Sequence, residues 1–424
     1  MNSIYKKHVL KSGLRVVLVP DSAKEVVTTM VLVGAGSRYE DEKIAGISHI
    51  LEHMFYKGSV KRPTSLKVAE FIEDIGGEHN AFTGKEYTGF YTKTAPKHLA
   101  KSIDFLSDLL INPMLDDKEL IKEKQVILQE YDMYEDLPME ISSSKFEEAL
   151  FGKNSLGRDV IGYRESIKKT TRDDLIKYKN GFYKSSNIVI VVVGNISILP
   201  EVELLDLIEK SFVFDHGAVT KYPVVVLPKE KREIIVKRKT EQTHLTVGFL
   251  GAARDGSDKS ALKLLGIILG GSMSSRMFGE IREKLGLAYS VHTASDSYLD
   301  TGSFDTYAGV PNDRWQEATE AILNEYKKVL KNISEAEFNR AKEIFFGRML
   351  ISFEDTNELA NLYASNELLL SKIITPAQMI EDYQKITLSE ILAVGKKYFI
   401  EENMAISLVG PEVNANDLQK IFNF

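Results

Sequence analysis

His49, Glu52 and His53 stand together in the run Gly46-Ile47-Ser48-His49-Ile50-Leu51-Glu52-His53-Met54. Residues four apart lie one above the other on a helix face. Two imidazoles at that spacing grip one Zn²⁺, and a glutamate between them handles a proton beside the metal. The order HxxEH inverts the commoner HExxH. The chain holds only 8 histidines in 424 residues, so chance rarely produces this pattern.

The motif needs a helix to carry it. Residues 44–57 read as one, closed by Gly58 at the C-cap position. β-rich runs at 14–19 and 26–33 come before it. A second helix at 64–75 is started by Pro63-Thr64-Ser65 and stopped by Gly76-Gly77. A hairpin-like stretch at 80–94, long helices at 96–111 and 116–134, and an apolar strand at 188–193 follow. Strands mixed with long helix pairs predict an α+β sandwich, its sheet mostly antiparallel and its helices on one face.

This pattern is written twice. Thr28-Thr29-Met30-Val31-Leu32-Val33-Gly34-Ala35-Gly36-Ser37-Arg38 parallels His244-Leu245-Thr246-Val247-Gly248-Phe249-Leu250-Gly251-Ala252-Ala253-Arg254, at an offset of 254 − 38 = 216. The run ending at Gly194 parallels the one ending at Gly410, again 216 apart. Two homologous domains are therefore expected, at 1–213 and 233–424. A linker at 214–232 is broken by Asp215, His216, Gly217, Pro223 and Pro228. Shifted by 216, the motif residues become Leu265, Ile268 and Leu269. The second copy keeps an apolar helix and drops the ligands, so the first copy's trio serves chemistry rather than architecture.

Composition narrows the setting. With 54 basic and 61 acidic residues the net charge is −7, which argues against a nucleic-acid or anionic-membrane binder. There is no cysteine, so no thiol nucleophile or cysteine zinc site exists. Residues 1–20 carry Lys6, Lys7, Lys11 and Arg15 with no uninterrupted apolar stretch, so no secretory signal is expected. The apolar run at 189–193 is far too short to span a bilayer. A cytoplasmic protein is the expectation. His79 reads as a surface-turn residue, and the remaining histidines show no ligand spacing.

Catalytic zinc usually takes three protein ligands. The third is sought on the acidic helix at 118–135, where Glu123 and Glu130, seven apart, share a face. Spacing alone leaves both open.

The run His49-Ile50-Leu51-Glu52-His53, with Glu130 following 130 − 53 = 77 residues later in Val126-Ile127-Leu128-Gln129-Glu130, resembles the pitrilysin-type inverzincin zinc peptidases. That family includes insulin-degrading enzyme and the β subunit of mitochondrial processing peptidase. The resemblance covers nearly the whole chain, and the length matches the family's small-subunit branch with its bacterial homodimeric relatives. It implies Glu130 as third ligand, Glu123 as an acid orienting a ligand histidine, and one Zn²⁺ per chain. The run Ser274 to Val291 is similar to the family's Arg/Tyr signature, with Arg282 and Tyr289 at its two positions. Asn80-Ala81-Phe82-Thr83 is similar to the edge strand that accepts a peptide as an added β-strand.

The expectation is a zinc endopeptidase that hydrolyses peptides or unfolded protein segments. Each chain forms a half-clamshell of two sandwiches, and two chains close a chamber. Zinc lowers the pKa of its water to about 7, and Glu52 takes the proton as general base and returns it as acid. Tyr289 donates to the oxyanion and Arg282 holds the substrate backbone. The zinc motif and the Arg/Tyr pair on one chain imply a homodimer. The rivals are a catalytically silent scaffold of the same fold and a dedicated maturation protease for one peptide.

Overall fold

The computed structural model describes residues 5–219, 226–228 and 231–424. Of the expected linker at 214–232, residues 220–225 and 229–230 lie outside the described residues. The chain forms two compact units, neither continuous in sequence. Unit 1 comprises Met1–Tyr131, Asp159–Val224 and Met349–Met379, and unit 2 comprises Asp132–Arg158, Val225–Arg348 and Ile380–Phe424.

Unit 1 is built on strands β1 (Lys6–Val9), β2 (Arg15–Pro20), β3 (Val27–Val33), β4 (Glu78–Thr83), β5 (Thr88–Thr94) and β6 (Ile188–Gly194). Their order is β1-β2-β6-β3-β5-β4, and every pair is antiparallel except β2 with β6. The central strands β3 (VTTMVLV) and β6 (IVIVVVG) are apolar and β-branched without alternation. A strand of that kind is buried on both faces.

The two faces carry two separate cores. Val31, Val33, Phe90 and Ile190 face a layer that includes the helices Ile47–Phe55 and Leu99–Ile111. Met30, Leu32, Val189, Val191 and Val193 pack on Leu359, Ala360, Tyr363 and Ala364 of the helix Thr356–Leu370. The expected α+β sandwich is present, and a second helical layer is added to it. The added helix comes from the other half of the sequence, which local patterning does not reveal. It is tied down at both ends. Thr356 and Asn357 hydrogen-bond Thr28 at 2.8 and 2.7 Å. The Arg15 guanidinium donates to the Glu367 carbonyl at 2.9 Å, and Lys7 lies 2.8 Å from the buried Glu367 carboxylate.

Unit 2 repeats the plan with β7 (Arg232–Lys237), β8 (Thr243–Gly251), β9 (Val291–Ser297), β10 (Gly302–Val310) and β11 (Met404–Gly410), in the order β7-β11-β8-β10-β9. Shifting β6 by 216 gives 404–410, which is β11. The helix Pro138–Phe151, from the first half of the sequence, packs on this sheet. Its Ser142 hydroxyl meets those of Thr246 and Ser407 at 2.9 and 3.1 Å. Shifted by 216, that helix becomes 354–367, which falls on Thr356–Leu370. Each unit therefore takes the same helix of the repeat from the opposite half of the chain. Among the described residues no helix is long and apolar enough to cross a membrane.

Removing one partner of a buried ion pair strands the other charges. Lys7 is about a third exposed, which moderates the effect. Glu367→Ala is expected to lower stability by about 2–3 kcal/mol, read from the urea midpoint.

Candidate metal centre

The motif helix runs Ile47–Phe55, three residues shorter at its start than expected. Gly46 is the reason. It sits at φ +91°, and a Cβ there would lie 2.3 Å from the Ile161 carbonyl oxygen. A left-handed glycine in backbone contact breaks any helix coming from residue 44. The Glu40 carboxylate then accepts from the N–H groups of Gly46 (2.7 Å) and Ser48 (2.8 Å). That satisfies donors at the helix N-terminus, where negative charge is favourable.

Along the helix, Ile47, Ile50, Leu51, Met54 and Phe55 are wholly buried in the core. Helical periodicity then leaves His49, Glu52 and His53 on the other side. The acidic helix Asp117–Glu135 is held by buried Leu120 and Ile127, and it carries Glu123 and Glu130 on the face they share.

Three donor atoms converge. His49 Nε2 and His53 Nε2 are 3.2 Å apart, and each lies 3.7 Å from Glu130 Oε2. Among the described residues this is the one group of three or more His, Asp or Glu ligand atoms close enough to share an ion. Glu123 stands behind it: its Oε1 is 2.8 Å from His53 Nδ1, and its Oε2 is 2.6 Å from Lys57 Nζ. A proton on His53 Nδ1 leaves the Nε2 lone pair facing the other two donors. Burial pushes His49 down to about 4, with His53 nearby adding to the fall, so its imidazole is neutral at pH 7. Burial would raise Glu123, but hydrogen bonds from His53 and Lys57 outweigh it and hold the carboxyl below its usual range. Two imidazoles and a carboxyl group, spaced to touch one small cation, fit zinc.

Glu52 lies beside these donors. Burial raises its pKa above the ordinary carboxylate value, although the Thr83 hydrogen bond and His53 pull the other way. The Thr83 hydroxyl donates to Glu52 Oε2. Thr83 ends β4, an edge strand that pairs only with β5 among the described residues. Asn80, Ala81 and Phe82 lie in the same strand.

Some contacts were not foreseen from the sequence. Thr83 touches Glu52 on the motif face, and Lys57 touches Glu123 behind it. His79 lies in β4 rather than in a turn, its ring stacked on Tyr56 at 5.3 Å and tilted against Phe105. Alternation along β4 was the available signal, since His79, Ala81 and Thr83 share a face. Arg282 and Tyr289 belong to unit 2. The Arg282 guanidinium donates to the Tyr289 carbonyl at 3.0 Å and lies 4.7 Å from the rings of both Phe278 and Tyr289. The Tyr289 side chain is exposed. Leu265, Ile268 and Leu269, which replace the motif in the second copy, are buried in the helix Lys259–Gly270.

Known families match this arrangement. Residues 15–164 match the insulinase domain of peptidase family M16, and residues 169–345 match the peptidase M16 inactive domain. A Bacillus subtilis chain named uncharacterized zinc protease YmxG is 35% identical over 96% of this chain and 99% of its own length. The chain belongs to peptidase family M16. A Streptomyces coelicolor chain named uncharacterized zinc protease SCO5738 is 30% identical over 96% of this chain and 89% of its own. The fold is shared with a protease from Helicobacter pylori, at a TM-score of 0.90 and 23% identity over 96% of this chain and 100% of that one. It is shared too with a peptidase M16 inactive domain from Pseudomonas fluorescens, at 0.88 and 19% over 97% and 98%. The pitrilysin-type resemblance is borne out. The word "inactive" in the second match suits a repeat whose ligand positions hold leucine and isoleucine.

Gly46 sets where the motif helix begins. A non-glycine residue held at positive φ costs about 1–3 kcal/mol, before any clash. Gly46→Ala is expected to lose at least that much stability by thermal unfolding and to bind zinc more weakly.

Proposed function

We propose that this M16 chain is a zinc-dependent endopeptidase acting on peptides or unfolded protein segments. The observation that carries the reading is the triangle of His49 Nε2, His53 Nε2 and Glu130 Oε2 with the raised carboxyl of Glu52 beside it. His49, His53 and Glu130 would hold the ion, one per chain. A zinc ion in such a site supplies Lewis acidity, which acidifies water and polarises a carbonyl.

The chain's own groups do the rest. Glu52 is held at Oε2 by Thr83, which leaves Oε1 to take the proton of an attacking water. Its raised pKa brings it closer to neutrality, where a group both accepts and returns a proton well. The proton then passes to the leaving amine as the C–N bond breaks. The open edge of β4 receives the peptide backbone as an added strand, so recognition tolerates many sequences. Arg282 binds substrate backbone, and Tyr289 donates to the developing oxyanion. Two copies enclose the substrate in a chamber. A silent scaffold would not need to keep the ligands, the base and the Arg/Tyr pair together.

Zinc analysis joined to a quenched-peptide assay tests the reading. About one zinc per chain and chelator-sensitive cleavage are expected. Glu52→Gln should keep the zinc and lose about 100- to 10,000-fold in turnover. Wild-type turnover in that variant removes Glu52 as the base. Mixing Glu52→Gln chains with Tyr289→Phe chains is expected to restore part of the activity. No recovery would mean that the pair serves its own chain's centre.

A further inference from the structure

We propose that Lys57 is a positioning residue for the metal centre: through Glu123 it fixes the ring of His53 and the offset at which Glu130 is delivered. The inference deepens the zinc-peptidase reading and rests on it.

Lys57 lies two residues beyond the last residue of the motif helix, Phe55, and four residues after His53. Both reach one carboxylate. Lys57 Nζ lies 2.6 Å from Glu123 Oε2, and His53 Nδ1 lies 2.8 Å from Glu123 Oε1. A carboxylate is planar and turns about a single bond. Held at one oxygen, it swings; held at both, from the helix by His53 and from the turn after it by Lys57, it is locked. The lock makes Glu123 a fixed acceptor, and a fixed acceptor holds the His53 ring with Nε2 toward the other ligands.

The same two contacts tie the acidic helix to the motif segment. Glu130 lies seven residues further along that helix, about 10.5 Å of rise from Glu123. A tie at Glu123 therefore sets how far Glu130 reaches between the imidazoles. The Lys57 side chain is 27% exposed, whereas Glu123 is 6% exposed. Partly exposed ion pairs add little to folding. The effect of Lys57 should appear in metal affinity and not in the stability of the metal-free chain.

The test is zinc affinity of the full-length, metal-stripped protein, measured by competition with a chromogenic chelator and paired with thermal unfolding without metal. Lys57→Met is expected to weaken zinc binding about tenfold with the metal-free transition unmoved, and Lys57→Arg to restore most of the loss. In a Glu123→Gln background the same change should cost less than about twofold, because the residue it acts through is already altered. Wild-type affinity in Lys57→Met overturns the inference and leaves the zinc reading standing. A tenfold loss that persists in the Glu123→Gln background also overturns it, since Lys57 would then act by another route. An unchanged chain that binds no zinc removes both.

Discussion

The hydrogen bond between His53 Nδ1 and Glu123 Oε1 joins the two helices on which the chemistry depends. One helix brings the imidazoles of His49 and His53 and the carboxyl of Glu52, and the other brings the carboxyl of Glu130. Neither is a site alone. Two imidazoles four apart set only an edge, and a metal needs at least a third donor to be held with one position open. The contact at Glu123 turns the edge into a triangle. It works because the surroundings are rigid. Five wholly buried apolar residues seat the motif helix in its core, and Leu120 and Ile127 seat the acidic helix. Ligand geometry is thus inherited from packing.

How much of this was legible follows from how local each signal is. His49, Glu52 and His53 are read from five consecutive residues, and their spacing carries its own meaning. Glu130 against Glu123 was open from spacing, because two glutamates seven apart look alike on a helix wheel. The structure separates them by depth: Glu123 is buried behind the ring of His53, and Glu130 faces both Nε2 atoms. Thr83 reads from the sequence only as part of the peptide-accepting strand and Lys57 as nothing in particular, because a threonine in a strand and a lysine after a helix are ordinary. Only tertiary placement shows that they meet Glu52 and Glu123. The start of the motif helix was misplaced because left-handed Gly46 answers to Ile161, a residue 115 positions away (161 − 46).

The repeat is an experiment already done by sequence divergence. Both copies keep the strand order and the central apolar strands, yet one copy carries ligands where the other carries Leu265, Ile268 and Leu269. The second helix is accommodated with buried leucine and isoleucine at those three positions. The fold therefore does not require histidines at those places. Glu40 and Gly46 both serve to present the motif helix.

The exchanged helices bear on how such a chain is made. Arg15 meets Glu367 across 352 positions of sequence, and the first sheet stays bare on one side until the segment bearing Glu367 arrives. Contacts of such separation slow folding. During synthesis, a nearly complete β-sheet must wait with a greasy face uncovered while most of the polypeptide is still to come. Cutting the chain between its two repeats would separate each sheet from the helix that covers it here.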